Sequence, residues 1–454
     1  MTVTVDNRSF YKRLAALALP IAFQSLMLAL VAAFDALMLG RVAQEQMTAV
    51  SLATQIQFVQ NMFLSAVTAA GSILGAQYFG KGDRETVGKL FLLMLRVCGG
   101  LSLVFFAGCE LIPDQLMRVF TGEDTLVAIG ADYLRIAGFS YLLTGVSQCF
   151  LAVMKVTEHV RAAALTSALA VVLNILLNAV FIFGLLGLPA MNARGAALAT
   201  TLSRVIELAV CLALAAFPGY LRPPVRRLFT HFGLLTKDFH KQCLALLGGF
   251  TLWGVGFTSY TAVIGHMGEN AAAANAVASV VRDLVCCACN GIGSAAGIMV
   301  GNELGAGDLA RGKAVGIKLK NVSWLIGFAS TVIVLAVTPL VTHSVKLSEE
   351  ARGHLVAMMV IMAFYMIGRA VNTITINGVL DGGGDTLFDM YSLAVCMWGI
   401  AIPLSALGAF VFRWPVAVVY ACTCLDEVGK LPWVMLHFRK YKWVRDLTRP
   451  ALNA

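Results

Sequence analysis

The sequence predicts an all-α polytopic membrane protein, with twelve transmembrane helices in two parallel-repeat six-helix bundles around a central cavity. Three observations support this prediction. The 454 residues are 59% hydrophobic and only 13% charged, whereas a soluble chain carries about 25% charged residues. The apolar residues fall into long runs, and the second half of the chain repeats a glycine-rich motif of the first half. Long apolar runs cross bilayers as helices, because a helix satisfies its backbone hydrogen bonds internally.

Each apolar run is long enough to cross ~30 Å of hydrocarbon at ~1.5 Å per residue. The first run is longer than the apolar part of a signal peptide and lacks a small-residue cleavage pattern, so we expect it to be the first span. The twelve predicted spans are 14–40, 46–76, 87–111, 126–154, 162–186, 194–217, 243–266, 271–302, 314–342, 353–380, 387–411 and 414–437.

The lysines and arginines predict the orientation in the membrane. If the N-terminus lies inside, the inner segments hold 22 of these residues and the outer segments hold six. Cytoplasmic loops of membrane proteins carry such an excess. We therefore expect a multi-pass protein of the cell (inner or plasma) membrane with both termini in the cytoplasm. Topology also accounts for the formal net charge of +9, so we expect no nucleic-acid partner.

An internal repeat divides the chain. The motif GKGD at 80–83 returns as GAGD at 305–308, at an offset of 225 residues. Each copy has an even number of spans, so both copies enter the membrane in the same direction and form parallel repeats. We predict an N-terminal six-helix lobe over 1–217, a cytoplasmic linker over 218–242, a C-terminal six-helix lobe over 243–437 and a basic cytoplasmic tail over 438–454.

Glycines and one proline are the candidates for hinges or gates. Glycine permits positive φ and close backbone approach where a helix ends, and neither glycine motif has the GxxxxGK[ST] pattern of a phosphate-binding loop. Proline removes a hydrogen bond inside the first span and favours a kink; whether that kink changes during transport or serves packing stays open. The predicted gating or hinge residues are Pro20, Gly80, Gly82, Gly301, Gly305 and Gly307.

Polar residues inside the N-terminal spans form a candidate cation site. Asp35 is the clearest candidate, because an ionisable group within a span is costly and is usually functional. Asn174 and Asn178 share one face of span 5, and helix rise places them and Thr200 at a depth similar to that of Asp35. Carboxylate, amide and hydroxyl oxygens suit Na⁺, whereas a desolvated carboxylate could carry H⁺ instead. The alternative for the three neutral residues is ordinary helix–helix hydrogen bonding.

The C-terminal spans carry a different set of polar residues. At the offset of 225, Asp35 corresponds to Tyr260, which is not an acid. Arg282 and Asp283 in span 8 and Arg369 in span 10 are the secondary candidates. Either the arginines pair with Asp283, or one of them contacts an anionic substrate. We favour pairing, since an unpaired buried charge is costly.

Four further side chains are candidates for a substrate cavity. Flexible and aromatic side chains accommodate varied organic ligands, although core packing or lipid contact is the alternative for each. Those candidates are Gln24, Met27, Gln55 and Trp253.

The cysteines of "CCAC" at 286–289 lie in an apolar run without a nearby histidine, which favours inert buried thiols. We expect no cofactor and no metal beyond a coupling Na⁺ at Asp35, Asn174 and Asn178.

Several segments resemble the MATE (multidrug and toxic compound extrusion) family. They are "FDALMLGRV" (34–42), "GSILGAQYFGKGD" (71–83), "LNILLNAVFIFG" (173–184), "RGAALAT" (194–200), "GSAAGIMVGNELGAGD" (293–308) and "NGVLDGGGDT" (377–386). This resemblance covers nearly the whole chain. It implies multidrug efflux and xenobiotic transport by an ion-coupled antiporter, with alternating access through rocking of the two lobes. The resemblance also implies cation coupling at Asp35, Asn174, Asn178 and Thr200. Many members carry an aspartate where this chain has Asn178. That difference leaves Asp35 as the one acid of the site that can bind and release a proton.

The predicted function is export of cationic or amphipathic organic compounds in exchange for H⁺ or Na⁺, by a monomer embedded in membrane lipid. The alternative is a flippase for lipid-linked oligosaccharide precursors. A flippase cavity is usually basic, and here only Arg282 and Arg369 could supply that charge. An enzyme is not expected, because the spans contain no HExxH or GxSxG motif and we expect no paired acids within them.

Overall fold

The computed structural model describes residues 6–185, 187–222, 224–345 and 347–448. Side chains at positions 32, 33, 35–37, 40 and 225 lie outside this description. Within the described residues the chain is helical and contains no strand, which confirms the predicted all-α class.

Seven α-helices lie in the described part of the first half of the chain. Helix α1 continues on both sides of Pro20. A six-residue helix, α4, was not predicted from the sequence and follows the third span. The helices are α1 (Asn7–Gly40), α2 (Gln44–Gly80), α3 (Arg84–Leu111), α4 (Pro113–Arg118), α5 (Asp124–Val156), α6 (Val160–Phe183) and α7 (Asn192–Ala216).

The second half begins with α8, which starts inside the predicted linker, and its later helices are less regular. Wider π-helical segments follow α11 at Thr373–Leu380, α12 at Ala394–Ala401 and α13 at Leu407–Val411. The helices are α8 (Leu234–Gly265), α9 (Glu269–Gly305), α10 (Leu309–Ser344), α11 (Glu349–Asn372), α12 (Thr386–Leu393), α13 (Ile402–Ala406), α14 (Val416–Thr423), α15 (Leu425–Val428) and α16 (Leu431–Arg439).

Eleven helical stretches of the described chain are long and apolar enough to cross a membrane, and they correspond to the first eleven predicted spans. The segment of the twelfth predicted span, 414–437, is not one continuous helix, because it is divided into the three consecutive short helices α14, α15 and α16. Pro432 supplies one physical reason. It lies in the first turn of α16, where its missing N–H is tolerated, whereas inside a continuous helix it would remove a hydrogen bond.

The repeated glycine motif builds the same corner twice. Gly82 and Gly307 have φ of 84° and 85°, a conformation that glycine adopts without steric cost. Asp83 then caps α3 by accepting a hydrogen bond from the Thr86 N–H at 2.9 Å. The equivalent Asp308 caps α10 in the same way through Arg311 N–H at 2.9 Å. Each motif thus ends one helix with a glycine and begins the next with an N-cap.

The chain folds into two compact units. The N-terminal unit comprises residues 24–75 and 83–240, and the C-terminal unit comprises the chain up to Phe23, Ala76–Gly82 and the chain from Lys241 onward. In the N-terminal unit, buried side chains of α2, α5 and α7 share one hydrophobic core. In the C-terminal unit, α9 and α14 pack around a buried row of α11 that includes Met358, Met362 and Met366.

Segments outside the spans are also held in place within these units. In the N-terminal unit, the Arg96 guanidinium donates to the carbonyls of Arg227, Leu228 and Thr230 in the predicted linker. In the C-terminal unit, the described part of the basic tail packs onto the protein. Trp443 is fully buried, and the Leu447 N–H donates to Gln77 Oε1 at 2.6 Å. Both segments are therefore structural parts of the fold over their described lengths.

Candidate functional site

Three of the four predicted cation-site residues form one hydrogen-bonded chain in the N-terminal unit. Asn174 and Asn178 are one turn apart on α6, and Asn178 Nδ2 donates to Asn174 Oδ1 at 3.1 Å. Asn174 Nδ2 donates to Thr200 Oγ1 on α7 at 3.2 Å. Thr200 Oγ1 in turn donates to the backbone carbonyl of Ala196 at 3.0 Å. The side chain of Asp35 lies outside the described residues.

A cavity of about 330 Å³ adjoins this chain. Its size is at the lower end of the range for small-molecule sites, about 300–1,000 Å³. The cavity is lined by polar groups from α2, α6 and α7 and by apolar side chains from α1 and α2. Its polar lining includes Thr54, Asn61, Asn174, Thr200, Ser203 and Arg204.

The predicted substrate-cavity residues lie in different surroundings. Gln24 is buried, and its Nε2 donates to Ser167 Oγ at 2.7 Å, so it connects α1 with α6. Gln55 is exposed and Met27 is half-buried, and neither lines the cavity of the N-terminal unit. Trp253 lines a second cavity, in the C-terminal unit.

A buried ion pair of the N-terminal unit was missed by the sequence analysis. Arg204 Nη1 lies 2.7 Å from Glu207 Oε2 one turn along α7. Ser147 Oγ on α5 lies 3.3 Å from the same carboxylate oxygen. Two opposite charges three residues apart within predicted span 6 were the signal that could have identified this pair. Arg204 also lines the cavity, so the pair borders the candidate site.

The second cavity occupies the repeat-equivalent place in the C-terminal unit. It has a volume of about 30 Å³ and is bordered by α8, α9, α11, α14 and α15. Several of its lining residues correspond, at the offset of 225, to residues that line the first cavity. These pairs are Leu28 and Trp253, Leu39 and Ile264, Val50 and Asn275, Thr54 and Ser279, and Gln57 and Arg282. Tyr260, which corresponds to Asp35, also lines this cavity.

The two candidate arginines take different partners. The Arg282 guanidinium donates from Nε and Nη2 to Asp283 Oδ1, at 3.0 and 2.9 Å. Arg369 Nη1 instead lies 2.8 Å from Glu427 Oε1 on α15. The favoured expectation was that both arginines pair with Asp283. Arg282 does so, whereas the expectation was wrong for Arg369, which pairs with Glu427.

Glu427 is the centre of a buried charged network that the sequence analysis also missed. Its carboxylate accepts from Arg369, from Lys430 Nζ at 3.0 Å and from Asn372 Nδ2 at 2.7 Å. The expectation of no paired acids within the predicted spans was wrong, because Asp426 and Glu427 are neighbouring acids within 414–437. The sequence "DEVGK" at 426–430, inside an otherwise apolar run, was the available signal.

The predicted gating glycines lie where α2 and α9 cross within the C-terminal unit. A Cβ on Gly80 would overlap the backbone of Asn302, and a Cβ on Gly305 would overlap the backbone of Gln77. A Cβ on Gly301 would lie 2.8 Å from the side chain of α2 that it faces. The two helix ends therefore meet backbone to backbone, a contact that glycine permits.

The cysteines form no disulfides, and ten of the eleven are buried. In the part of the chain that the structure describes, no group of three or more histidine, cysteine or acidic side chains could hold a metal ion. The chain of Asn174, Asn178 and Thr200 contains amide and hydroxyl oxygens instead.

Sequence comparisons connect this architecture to known transporters. The family profile described as MatE matches residues 20–180 and 246–407, so it matches both halves of the internal repeat. A "Probable multidrug resistance protein NorM" of Thermotoga maritima is 23% identical, with 97% of this chain and 95% of the relative covered. A "Probable multidrug resistance protein NorM" of Bradyrhizobium diazoefficiens is 26% identical, with 82% of this chain and 80% of the relative covered.

Solved structures share the fold. A MOP superfamily transporter from Pyrococcus furiosus superposes with a TM-score of 0.84 at 16% identity, over 94% of this chain and 96% of that one. The MATE transporter VcmN of Vibrio cholerae, in its bent form, superposes with a TM-score of 0.83 at 15% identity, over 95% of this chain and 97% of that one. The family profile covers most of this chain and matches each half of it. The chain therefore belongs to the MATE family of transporters and is a multi-pass membrane protein.

Proposed function

We propose that this MATE transporter is a secondary active antiporter that exports cationic or amphipathic organic compounds in exchange for H⁺ or Na⁺. The observation that supports this proposal is the chain of Asn178, Asn174 and Thr200 beside a cavity of about 330 Å³. The amide and hydroxyl groups lie at the wall of a space large enough for a small organic molecule. Ion binding and substrate binding can therefore influence each other directly.

Asp35 supplies the charge of the proposed ion site. The two asparagines and Thr200 are neutral, so Asp35 is the group among these four that can gain or lose a proton. If Na⁺ is the coupling ion, Asp35, Asn174 and Asn178 would supply its oxygen ligands. If H⁺ is the coupling ion, it would bind the Asp35 carboxylate, and the single acid slightly favours this alternative.

Rocking of two helical lobes is the proposed transport movement, with both termini in the cytoplasm of the cell membrane. The positive-inside distribution of lysine and arginine supports this orientation. The crossing of α2 and α9 at Gly80 and Gly305 supports a role of the repeated motif in a cytoplasmic gate. A kink at Pro20, which proline favours inside a helix, is the proposed element of α1 that responds to the ion.

The flippase alternative has less support from the described contacts. Holding a lipid pyrophosphate needs available basic groups. Arg369 and Lys430 are both bound by Glu427, so Arg282, paired with Asp283, is the one basic group of these three that borders the described cavity.

The experiment is ion-driven efflux from proteoliposomes. Export of a fluorescent organic cation would be followed under an imposed Na⁺ gradient and then under a pH gradient, for wild type and for Asp35→Asn. We expect one gradient to drive the wild type and Asp35→Asn to abolish that coupling. Asp132→Asn, at a surface ion pair, is the control. Normal coupling in Asp35→Asn would exclude the proposed ion site, and failure of both gradients in the wild type would favour the flippase.

A further inference from the structure

We propose that the cavity of the C-terminal unit is a subsite for a zwitterionic group, with Arg282 binding the anionic part and Asp426 binding the cationic part. The ligand class is an organic compound that carries an α-amino-acid end, with its ammonium and carboxylate groups close together. This inference rests on the proposed function, export of amphipathic organic compounds, and it narrows the class of substrate.

The Arg282 guanidinium is fixed in position and keeps hydrogen-bond donors that a carboxylate can bind. Its side chain is 13% exposed, and its Cζ lies 4.3 Å from the ring centroid of Phe257. Its two hydrogen bonds to Asp283 both end on one oxygen, Oδ1. A guanidinium has five N–H donors and binds carboxylates through two parallel hydrogen bonds. Arg282 therefore retains donors for a ligand on the face that borders the cavity.

Asp283 is a replaceable partner for Arg282. Its side chain is 62% exposed, so the protein does not enclose the carboxylate and it has room to leave the guanidinium. A ligand carboxylate would compete with Asp283 for the same guanidinium donors. In this arrangement Asp283 neutralises Arg282 in the empty site, and a ligand carboxylate takes its place.

The same cavity presents a buried carboxylate oxygen beside a tyrosine hydroxyl. Asp426 and Tyr260 line it and are 5% and 9% exposed. Asp426 Oδ1 has no hydrogen-bond partner of ordinary geometry among the described residues, and the Tyr260 hydroxyl is its near neighbour. Buried polar atoms are nearly always hydrogen-bonded, so Asp426 Oδ1 can accept a hydrogen bond from a ligand group. The neighbouring Glu427 is already bound by Arg369 and Lys430, which leaves Asp426 for an ammonium group.

The size of the cavity limits which part of a ligand it can hold. Its volume of about 30 Å³ is room for about two or three water molecules. A compact zwitterionic end fits such a space, and the body of the ligand would extend outside it. Trp253 and Phe257 stack at 5.5 Å between ring centroids and provide an aromatic wall for an apolar body.

The other repeat lacks this pair of charges. Gln57 takes the place of Arg282 at the offset of 225. Around the last helices, "TLSRV" at 201–205 aligns with "CLDEV" at 424–428, so Ser203 takes the place of Asp426. The N-terminal repeat therefore has neutral residues at both positions. Arg282→Gln introduces the residue that the N-terminal repeat has at the equivalent position, Gln57.

The test measures binding of Nε-dansyl-lysine, its methyl ester and its α-N-acetyl derivative to the purified protein in nanodiscs by dansyl fluorescence. We expect the wild type to bind dansyl-lysine at least tenfold more tightly than either derivative. Arg282→Gln should bind dansyl-lysine and its methyl ester equally well, because the group that binds the carboxylate is gone. Asp426→Asn should bind dansyl-lysine and its α-N-acetyl derivative equally well, because the group that binds the ammonium is gone. Asp283→Asn should bind dansyl-lysine several-fold more tightly, because the internal competitor is gone.

Two results would overturn the proposal. One is equal binding of the three compounds to the wild type. The other is unchanged or weaker binding of dansyl-lysine to Asp283→Asn, a variant at an exposed position that is expected to fold. Efflux of an organic cation under an ion gradient, measured on the same preparation, separates this proposal from the proposed function. Ion-driven efflux without a preference for dansyl-lysine would contradict the subsite alone, and the preference without efflux would contradict the antiporter alone.

Discussion

At the scale of residues, the two repeats place buried ion pairs at equivalent positions with the charges exchanged. In α7, Arg204 precedes Glu207 by three residues, and in the aligned segment of the C-terminal half Glu427 precedes Lys430 by three. Each pair is buried and has further polar neighbours. The equivalent positions therefore require a neutralised pair, whereas the order of acid and base differs between the halves.

Glu427 allows a direct measurement of what such a pair contributes. Glu427→Gln would leave Arg369 and Lys430 buried without their carboxylate, which costs about 3–5 kcal/mol in comparable cases. We expect a marked loss in the free energy of unfolding, measured in detergent with denaturant. Asp124→Asn, in an exposed pair with Arg118, is the control and should cost less than about 1 kcal/mol. Equal losses in the two variants would show that the Glu427 network has no special energetic role.

At the scale of helices, the repeated motif uses each of its residues for a different purpose. The first glycine lets α2 and α9 approach, the second adopts positive φ, and the aspartate caps the following helix. This division explains why the motif recurs with only its second residue changed, lysine in one copy and alanine in the other. The motif is a connection between helices, and none of these contacts requires a ligand.

Gly305→Val tests the crossing of α2 and α9. The valine side chain would overlap the backbone of Gln77, so the two helix ends would have to separate. We expect loss of folded monomer in size-exclusion chromatography, or loss of transport in the protein that remains. Gly99→Val is the matched control, because Gly99 lies inside α3 and an added Cβ there would meet no neighbouring atom within 4 Å. Wild-type folding and transport in Gly305→Val would refute the structural and gating role.

At the scale of the whole molecule, one buried acid couples stability to pH. Asp381 directly follows the tenth span, at the helix end before the turn at Gly383 and Gly384, and is buried. Its Oδ1 has no hydrogen-bond partner among the described residues. Burial, with the nearby Asp389 and Asp385, raises the pKa of Asp381 well above its ordinary value. The folded protein therefore holds this proton at pH values where the unfolded chain has released it.

The sign of the pH effect follows from that difference. Below the unfolded pKa both states hold the proton, and Asp381 does not affect the pH dependence. As the pH rises from there towards the folded pKa, the unfolded state binds fewer protons, so the free energy of unfolding falls. We expect Asp381→Asn to be more stable than the wild type at neutral pH, with the difference shrinking towards about pH 4, near the ordinary pKa of an aspartate. Thermal unfolding midpoints measured from that pH up to neutral pH would show this, and parallel curves for the two proteins would exclude it.

The sequence by itself determined the class, the first eleven spans and the internal repeat. These features depend on local properties, because the length and polarity of a run decide whether it crosses a bilayer. The spacing of Asn174 and Asn178 predicted a shared helix face, and their hydrogen bond confirms it. The motifs GKGD and GAGD likewise carry their turn chemistry within four residues.

The tertiary structure alone decided which distant groups meet. Arg369 pairs with Glu427, 58 residues away in the sequence, instead of with Asp283, and no local pattern specifies that choice. The helices packed around each charge select its partner, since an unpaired charge in a low-dielectric interior is costly. The division of 414–437 into three short helices also comes with a long-range contact, because Glu427 of α15 binds Arg369 of α11. Composition determines that a segment enters the membrane, whereas packing determines which of its polar groups find partners and which are left for a ligand.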